Sequence, residues 1–136
     1  MRFMMFMYPG IDPTEDWEPD AEAVGAMSKY NEELTQAGVL LALDGLQPPQ
    51  EGARVRRSGS EVTVTDGPFA EAKEVVGGYW TIQVGSKAEA VEWARRCPMN
   101  EGDMIEVRRV YEMSDFPEDV QQAAELSQTP PEQTSA

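Results

Sequence analysis

The chain has 136 residues, 40% of them hydrophobic, 26% charged and 8% aromatic, the length and composition of one soluble globular domain rather than a disordered or fibrous chain. Its 25 acidic and 11 basic residues give a formal charge of −14, a surface that repels phosphate backbones and anionic membranes, so neither nucleic acid nor membrane is expected as a partner. There is no histidine and one cysteine, Cys97, which excludes His-based general bases and triads, His-ligated or Cys-cluster metal sites and an intramolecular disulfide. A single thiol fits a reducing cytoplasm, and no metal or cofactor is expected.

Phe3 to Tyr8 are apolar at every position and end at Pro9-Gly10. The run is too short for a signal peptide or a membrane span and reads as a strand buried on both faces. A loop from Asp12 to Pro19 follows, and Val24, Met27, Tyr30, Leu34 and Ala37 then recur at helical spacing until Gly38 stops the helix. Val39 to Leu43 form a second apolar strand closed by Asp44-Gly45 and Pro48-Pro49. Ala53 to Arg57 and Glu61 to Thr65 flank Ser58-Gly59-Ser60, which predicts an antiparallel hairpin with one exposed face. After a loop, Gly78 to Val84 alternate Tyr79, Thr81 and Gln83 with Trp80, Ile82 and Val84, a strand with unlike faces. Ser86 and Glu89 form a capping box for a helix whose Ala90, Val91, Ala94 and Cys97 share a face up to Pro98, and Ile105 to Tyr111 make the last strand.

This order repeats a strand-helix-strand unit twice, with a hairpin inserted between the two. The expected fold class is α+β, a ferredoxin-like βαββαβ sandwich occupying residues 1–112 with both helices on one sheet face. The other face carries half of the first strand and either Tyr79 or Trp80, so it is expected to bury itself against a second copy as a homodimer, a dimeric α+β barrel. Residues 113–136 hold five acids and no base, rich in Glu, Gln, Ser, Thr and Pro, and read as a weakly ordered acidic tail whose one candidate helix is Glu118 to Leu126.

The most specific stretch is Asp66-Gly67-Pro68-Phe69-Ala70-Glu71-Ala72-Lys73-Glu74, followed by Gly77-Gly78-Tyr79-Trp80. It closely resembles the signature of the DGPF family within the YCII-related superfamily. The resemblance extends to the opening strand, Lys29-Tyr30-Asn31-Glu32-Glu33-Leu34, Ala37-Gly38-Val39-Leu40, Gly45-Leu46-Gln47-Pro48 and Ile105-Glu106-Val107-Arg108, and so covers roughly residues 1–112. It implies a dimeric α+β barrel, in agreement with the pattern, and it implies no settled reaction. Some members of the superfamily have a proposed His and Asp pair in a cleft and a few act on small aromatic compounds, but this chain has no histidine to match that pair. The resemblance also implies a regulatory connection with an extracytoplasmic-function sigma factor, because DGPF proteins are commonly encoded beside one.

Any chemistry therefore falls to Asp, Glu, Lys, Tyr or Arg. Asp66, Glu71 and Lys73 in the signature loop, with Asp44 at a strand end, are the candidate catalytic groups: a carboxylate as base, Lys73 holding an anion or enolate. Phe69, Glu74, Tyr79 and Trp80 are candidate ligand-binding residues. Each has a plainer alternative: ion pairing of Lys73 with Glu71 or Glu74, a turn role for Asp44, and core or interface packing for the two aromatics. Arg54, Arg56 and Arg57 form the one basic cluster, read as an exposed hairpin face, and Cys97 reads as a packed, inert thiol although Arg95 and Arg96 adjoin it. The expected function is binding of a small organic molecule in a cleft, with acid–base chemistry from these groups. The alternative is a non-enzymatic accessory protein acting on a sigma factor through its acidic surface or tail.

Overall fold

The first strand determines the layout. In the computed structural model, which describes residues 1–11, 18, 20–69 and 74–124, β1 (Arg2–Tyr8) is apolar after its first residue and takes an interior position with a neighbour on each edge. Along the chain follow α1 (Ala21–Gln36), β2 (Leu40–Gly45), β3 (Ala53–Ser58), β4 (Glu61–Asp66), β5 (Gly78–Gln83), α2 (Lys87–Arg96), β6 (Met104–Arg109) and α3 (Glu118–Ala124), with 3-10 turns at Pro49–Glu51 and Met113–Asp115. The main sheet has the order β2-β5-β1-β6 and every neighbouring pair is antiparallel. This is the ferredoxin-like arrangement, in which two βαβ units interleave so that β1 and β5 lie at the centre.

The register puts Met5 opposite both Trp80 and Val107, and Phe3 opposite Ile82. These side chains point to one face, where they form the core with Tyr30 and Leu34 of α1 and Ala90 and Ala94 of α2. Both helices therefore cover the same side, as the periodicity implied. Strand alternation sends Met4, Phe6, Tyr8, Tyr79 and Thr81 to the other face, where they are half-buried. The aromatic pair is thus split: Trp80 packs beneath α1 and Tyr79 faces away.

The helix termini follow the sequence signals, with one adjustment. Asp20 caps α1 by accepting a hydrogen bond from the Ala23 amide (2.7 Å), and Gly38, at φ +73°, ends it in the left-handed conformation that glycine adopts without strain. Ser86 caps α2 by accepting from the Glu89 amide (3.2 Å), but the Glu89 carboxylate reaches back one residue further than a capping box requires, to the Gly85 amide (3.1 Å). Two polar contacts lock the layers inside the apolar core. The Trp80 indole donates to Asn31 Oδ1 (2.8 Å), and the Tyr30 hydroxyl donates to the Trp93 carbonyl (2.7 Å), while the Tyr30 and Trp80 rings meet edge to face with centroids 5.8 Å apart. Burial pushes the Tyr30 phenol well above its ordinary range, so it remains a donor.

The hairpin departs from expectation. Strands β3 and β4 form a sheet of their own, and almost every residue in it is exposed, so both of its faces are open instead of one. The last strand also ends two residues early, at Arg109, because the chain turns there to make ion pairs. Arg2 holds Glu112 with two nitrogens, at 2.9 and 3.2 Å, and Arg109 holds Asp115 at 3.1 Å across the Met113–Asp115 turn. A short helix does occupy the first part of the acidic tail; residues 125–136, including Leu126, lie outside the described residues, as does most of the Asp12 to Pro19 loop.

The guanidinium of Arg2 holds the Glu112 carboxyl below its usual value. The native state therefore binds that proton less tightly than the unfolded chain, and the contribution is present at neutral pH and lost as pH falls through the lowered value. Acid titration followed by amide chemical shifts should show the Glu112 to Phe116 turn detaching from β1 before the sheet melts, and Glu112→Gln should remove that early step.

Candidate functional site

A site forms where the edge strand β2 ends against the start of β5. Asp44 lies directly opposite Tyr79 in the register, and Gly45 opposite Gly78. The Tyr79 hydroxyl donates to Asp44 Oδ2 at 2.7 Å. That hydrogen bond and the negative charge of Asp44 raise the phenol above its ordinary value, so Tyr79 stays protonated and acts as a donor. Past the strand ends the backbone is tied by Leu46 N–H to Gly77 O (2.9 Å) and Gly77 N–H to Met7 O (2.7 Å).

Around these ties lies a cavity of about 1010 Å³ whose lining runs from the N-terminal half of α1 past the strand ends to Asp44 and Tyr79, which strand alternation puts on the helix-free side. Its walls are mainly apolar, including Met7, Val24, Met27, Leu43 and Trp80, with Asn31, Asp44 and Tyr79 among its polar groups. One rim is the turn before β6. Both oxygens of Asp103 are used to hold it, accepting the Gly10 amide and the Asn100 amide at 2.8 Å each. A second, smaller hollow of about 400 Å³ shares the Leu46–Pro49 and Val75–Val76 walls, and Phe69 and Glu74 line it together with Arg54, whose guanidinium stacks 3.9 Å above the Phe69 ring.

The candidate residues are thereby divided. Asp44, Tyr79 and Trp80 line the larger cavity, while Phe69 and Glu74 line the smaller one. Asp66 ends β4, exposed, and lines neither. Glu71 and Lys73 lie outside the described residues. Among the described residues no group of three or more His, Cys, Asp or Glu side chains is placed to hold a metal ion.

Two contributors escaped the sequence reading. Asn31 sits four residues beyond Met27, a polar side chain on the otherwise apolar stripe of α1, and that misfit was the available signal. The Asp44–Tyr79 contact had none, because it joins residues 35 apart through strand pairing. Cys97 is packed as expected: it lies 4.0 Å from Met27 Sδ, and burial pushes its thiol up to about 12, against any help from Arg95 and Arg96. A maleimide at mildly alkaline pH should leave the native thiol unmodified and label it only once denaturant unfolds the chain.

The glycine of the signature loop has a spatial reason. Gly67 donates its amide to Gly52 O (3.0 Å), and a Cβ built on it would overlap the Pro49 carbonyl. That contact presses the loop onto the wall shared by the two hollows. Gly67→Ala should cost about 1–3 kcal/mol by forcing these backbones apart, read as a lower urea midpoint at constant m-value.

Two comparisons with known proteins bear on this chain. It is 33% identical over 97 residues, 70% of its own length and 78% of the relative's, to an uncharacterized protein of Rhizobium meliloti (strain 1021). It also matches the YCII-related domain over residues 1–114, from β1 into the turn after β6. With the interleaved βαβ topology, a match of that extent makes the chain a member of the YCII-related domain family.

Proposed function

We propose that the protein binds a small organic molecule in the cavity around the β2–β5 end of the sheet, with the Asp44–Tyr79 pair, on its helix-free side, as polar anchor and acid–base group. The observation that carries this reading is the pair's position: a carboxylate and a protonated phenol, 2.7 Å apart, in the wall of a mainly apolar cavity large enough for a compact ligand. Tyr79 occupies Oδ2 of Asp44 and leaves Oδ1 to accept a hydrogen from the ligand or, with an acidic C–H or O–H, to take the proton. The charged side chains among the described lining residues are Asp20, Glu22, Asp44 and Asp103, all acidic. Such walls favour neutral or amine-bearing molecules over anions. The half-buried apolar residues on the helix-free sheet face support a homodimer built on that face.

Thermal denaturation with tyramine, neutral phenols, aromatic keto acids and sugar phosphates tests the assignment. Ligand at a hundredfold excess over its dissociation constant adds about 2.7 kcal/mol to native stability. A rise in Tm with amines or neutral phenols that disappears in both Asp44→Asn and Tyr79→Phe supports the site. No rise with any compound, or a rise that both variants retain, would overturn it.

A further inference from the structure

The hairpin is unusual for what it leaves uncovered. Two strands do not form a stable sheet alone in water, and this pair hydrogen-bonds only to each other among the sheets. Its register places three rungs on one face: Ala53 opposite Asp66, Val55 opposite Val64, and Arg57 opposite Val62. Val55, Val62 and Val64 are 68%, 61% and 67% exposed, whereas the other face carries Arg54, Arg56, Ser58, Glu61, Thr63 and Thr65. The valines thus form an apolar centre that nothing among the described residues covers.

The charges at the two ends of that face bear on the partner it fits. An acid, Asp66, stands at one end and a base, Arg57, at the other, four residue steps apart along the ladder with the Val55–Val64 rung midway between them. Neither charge has an ion-pair partner among the described residues; Arg57 uses only its Nε, on the Gly59 carbonyl at 3.2 Å. A surface with an apolar centre and opposite charges at its ends is complementary to itself. Turned about a two-fold axis that runs across the strands at the Val55–Val64 rung, a second copy lays valine on valine. The same rotation brings each Arg57 over the other copy's Ala53–Asp66 rung. No such match arises with a chain of uniformly acidic surface or with a basic one.

We infer that the β3–β4 hairpin is a self-association surface, packing face to face on the hairpin of a second copy of this chain through Val55, Val62 and Val64, with paired Arg57–Asp66 contacts between the copies. This surface is separate from the open face of the main sheet and from both hollows. It gives Asp66 a role in assembly, consistent with its absence from either cavity wall.

Cross-linking of variants with one added cysteine tests the inference directly, since native Cys97 is buried and its thiol protonated. A bismaleimide spanning about 10 Å matches the spacing of sheets packed face to face. Val55→Cys, beside the axis, should give covalent dimer efficiently, and Thr63→Cys, on the opposite face, should not. Adding Arg57→Asp or Asp66→Arg to Val55→Cys should reduce the yield about tenfold by setting like charges together, and combining both swaps should restore it. Equal yields at positions 55 and 63, a yield indifferent to the swaps, or a Val55→Cys thiol that resists even a monofunctional maleimide would overturn it. Recovery in the double swap separates lost complementarity from a hairpin that has failed to fold.

Discussion

Burying β1 is the constraint on which the rest depends. A strand that runs Phe-Met-Met-Phe-Met-Tyr exposes apolar side chains on both faces wherever it sits, so it must have a hydrogen-bonded neighbour on each edge and cover above and below. β5 and β6 supply the edges, α1 and α2 the cover on one side. Met5 and Ile82 are completely enclosed there, and Leu34 presses on them from α1. The remaining side has no layer among the described residues, and its Met4, Phe6 and Tyr8 are only half-buried.

The site follows from the same arrangement. Because β5 must lie beside β1, the edge strand β2 pairs with β5, and its last residues meet β5's first ones. Asp44 and Tyr79 come together at that end, where both strands stop and the connecting loops diverge around a space that no core residue fills. The glycines opposite one another at 45 and 78 leave the strand ends slim. The signature loop contributes to this region at one remove: its glycine braces Pro49, and Pro49 belongs to the wall between the hollows. A motif recognised for its charged residues is seen here, over the part described, acting through backbone contact and an arginine stacked on Phe69.

Charge is distributed with the same economy. The acidic excess collects on the cavity rim, in α1 and in the C-terminal segment, whereas arginines serve local ends: Arg2 and Arg109 fasten the turn after β6, and Arg96 lies over Trp93 with its guanidinium 4.8 Å from the ring centroid. These pairs are at least partly solvent-exposed and individually weak. What they fix is position: the chain beyond β6 is held against the start of β1, so the two ends of the domain meet.

Local periodicity determined much of this protein. The apolar run of β1, the helical stripe through Met27, Tyr30 and Leu34, the capping serine at 86 and the glycine turn at 59 are each written within a few residues, and their order is enough to select two interleaved βαβ units. The signature loop identified the family from nine adjacent residues. What the sequence left open depends on residues far apart in the chain: whether Trp80 or Tyr79 faced the helices, that Asp44 would accept the Tyr79 hydroxyl, that Asn31 would receive the Trp80 indole, and that Asp66 would stand clear of both hollows. Strand register is set by the packing of whole layers, and a single residue's slip exchanges the two faces of a strand, so only the tertiary structure decided which polar groups meet.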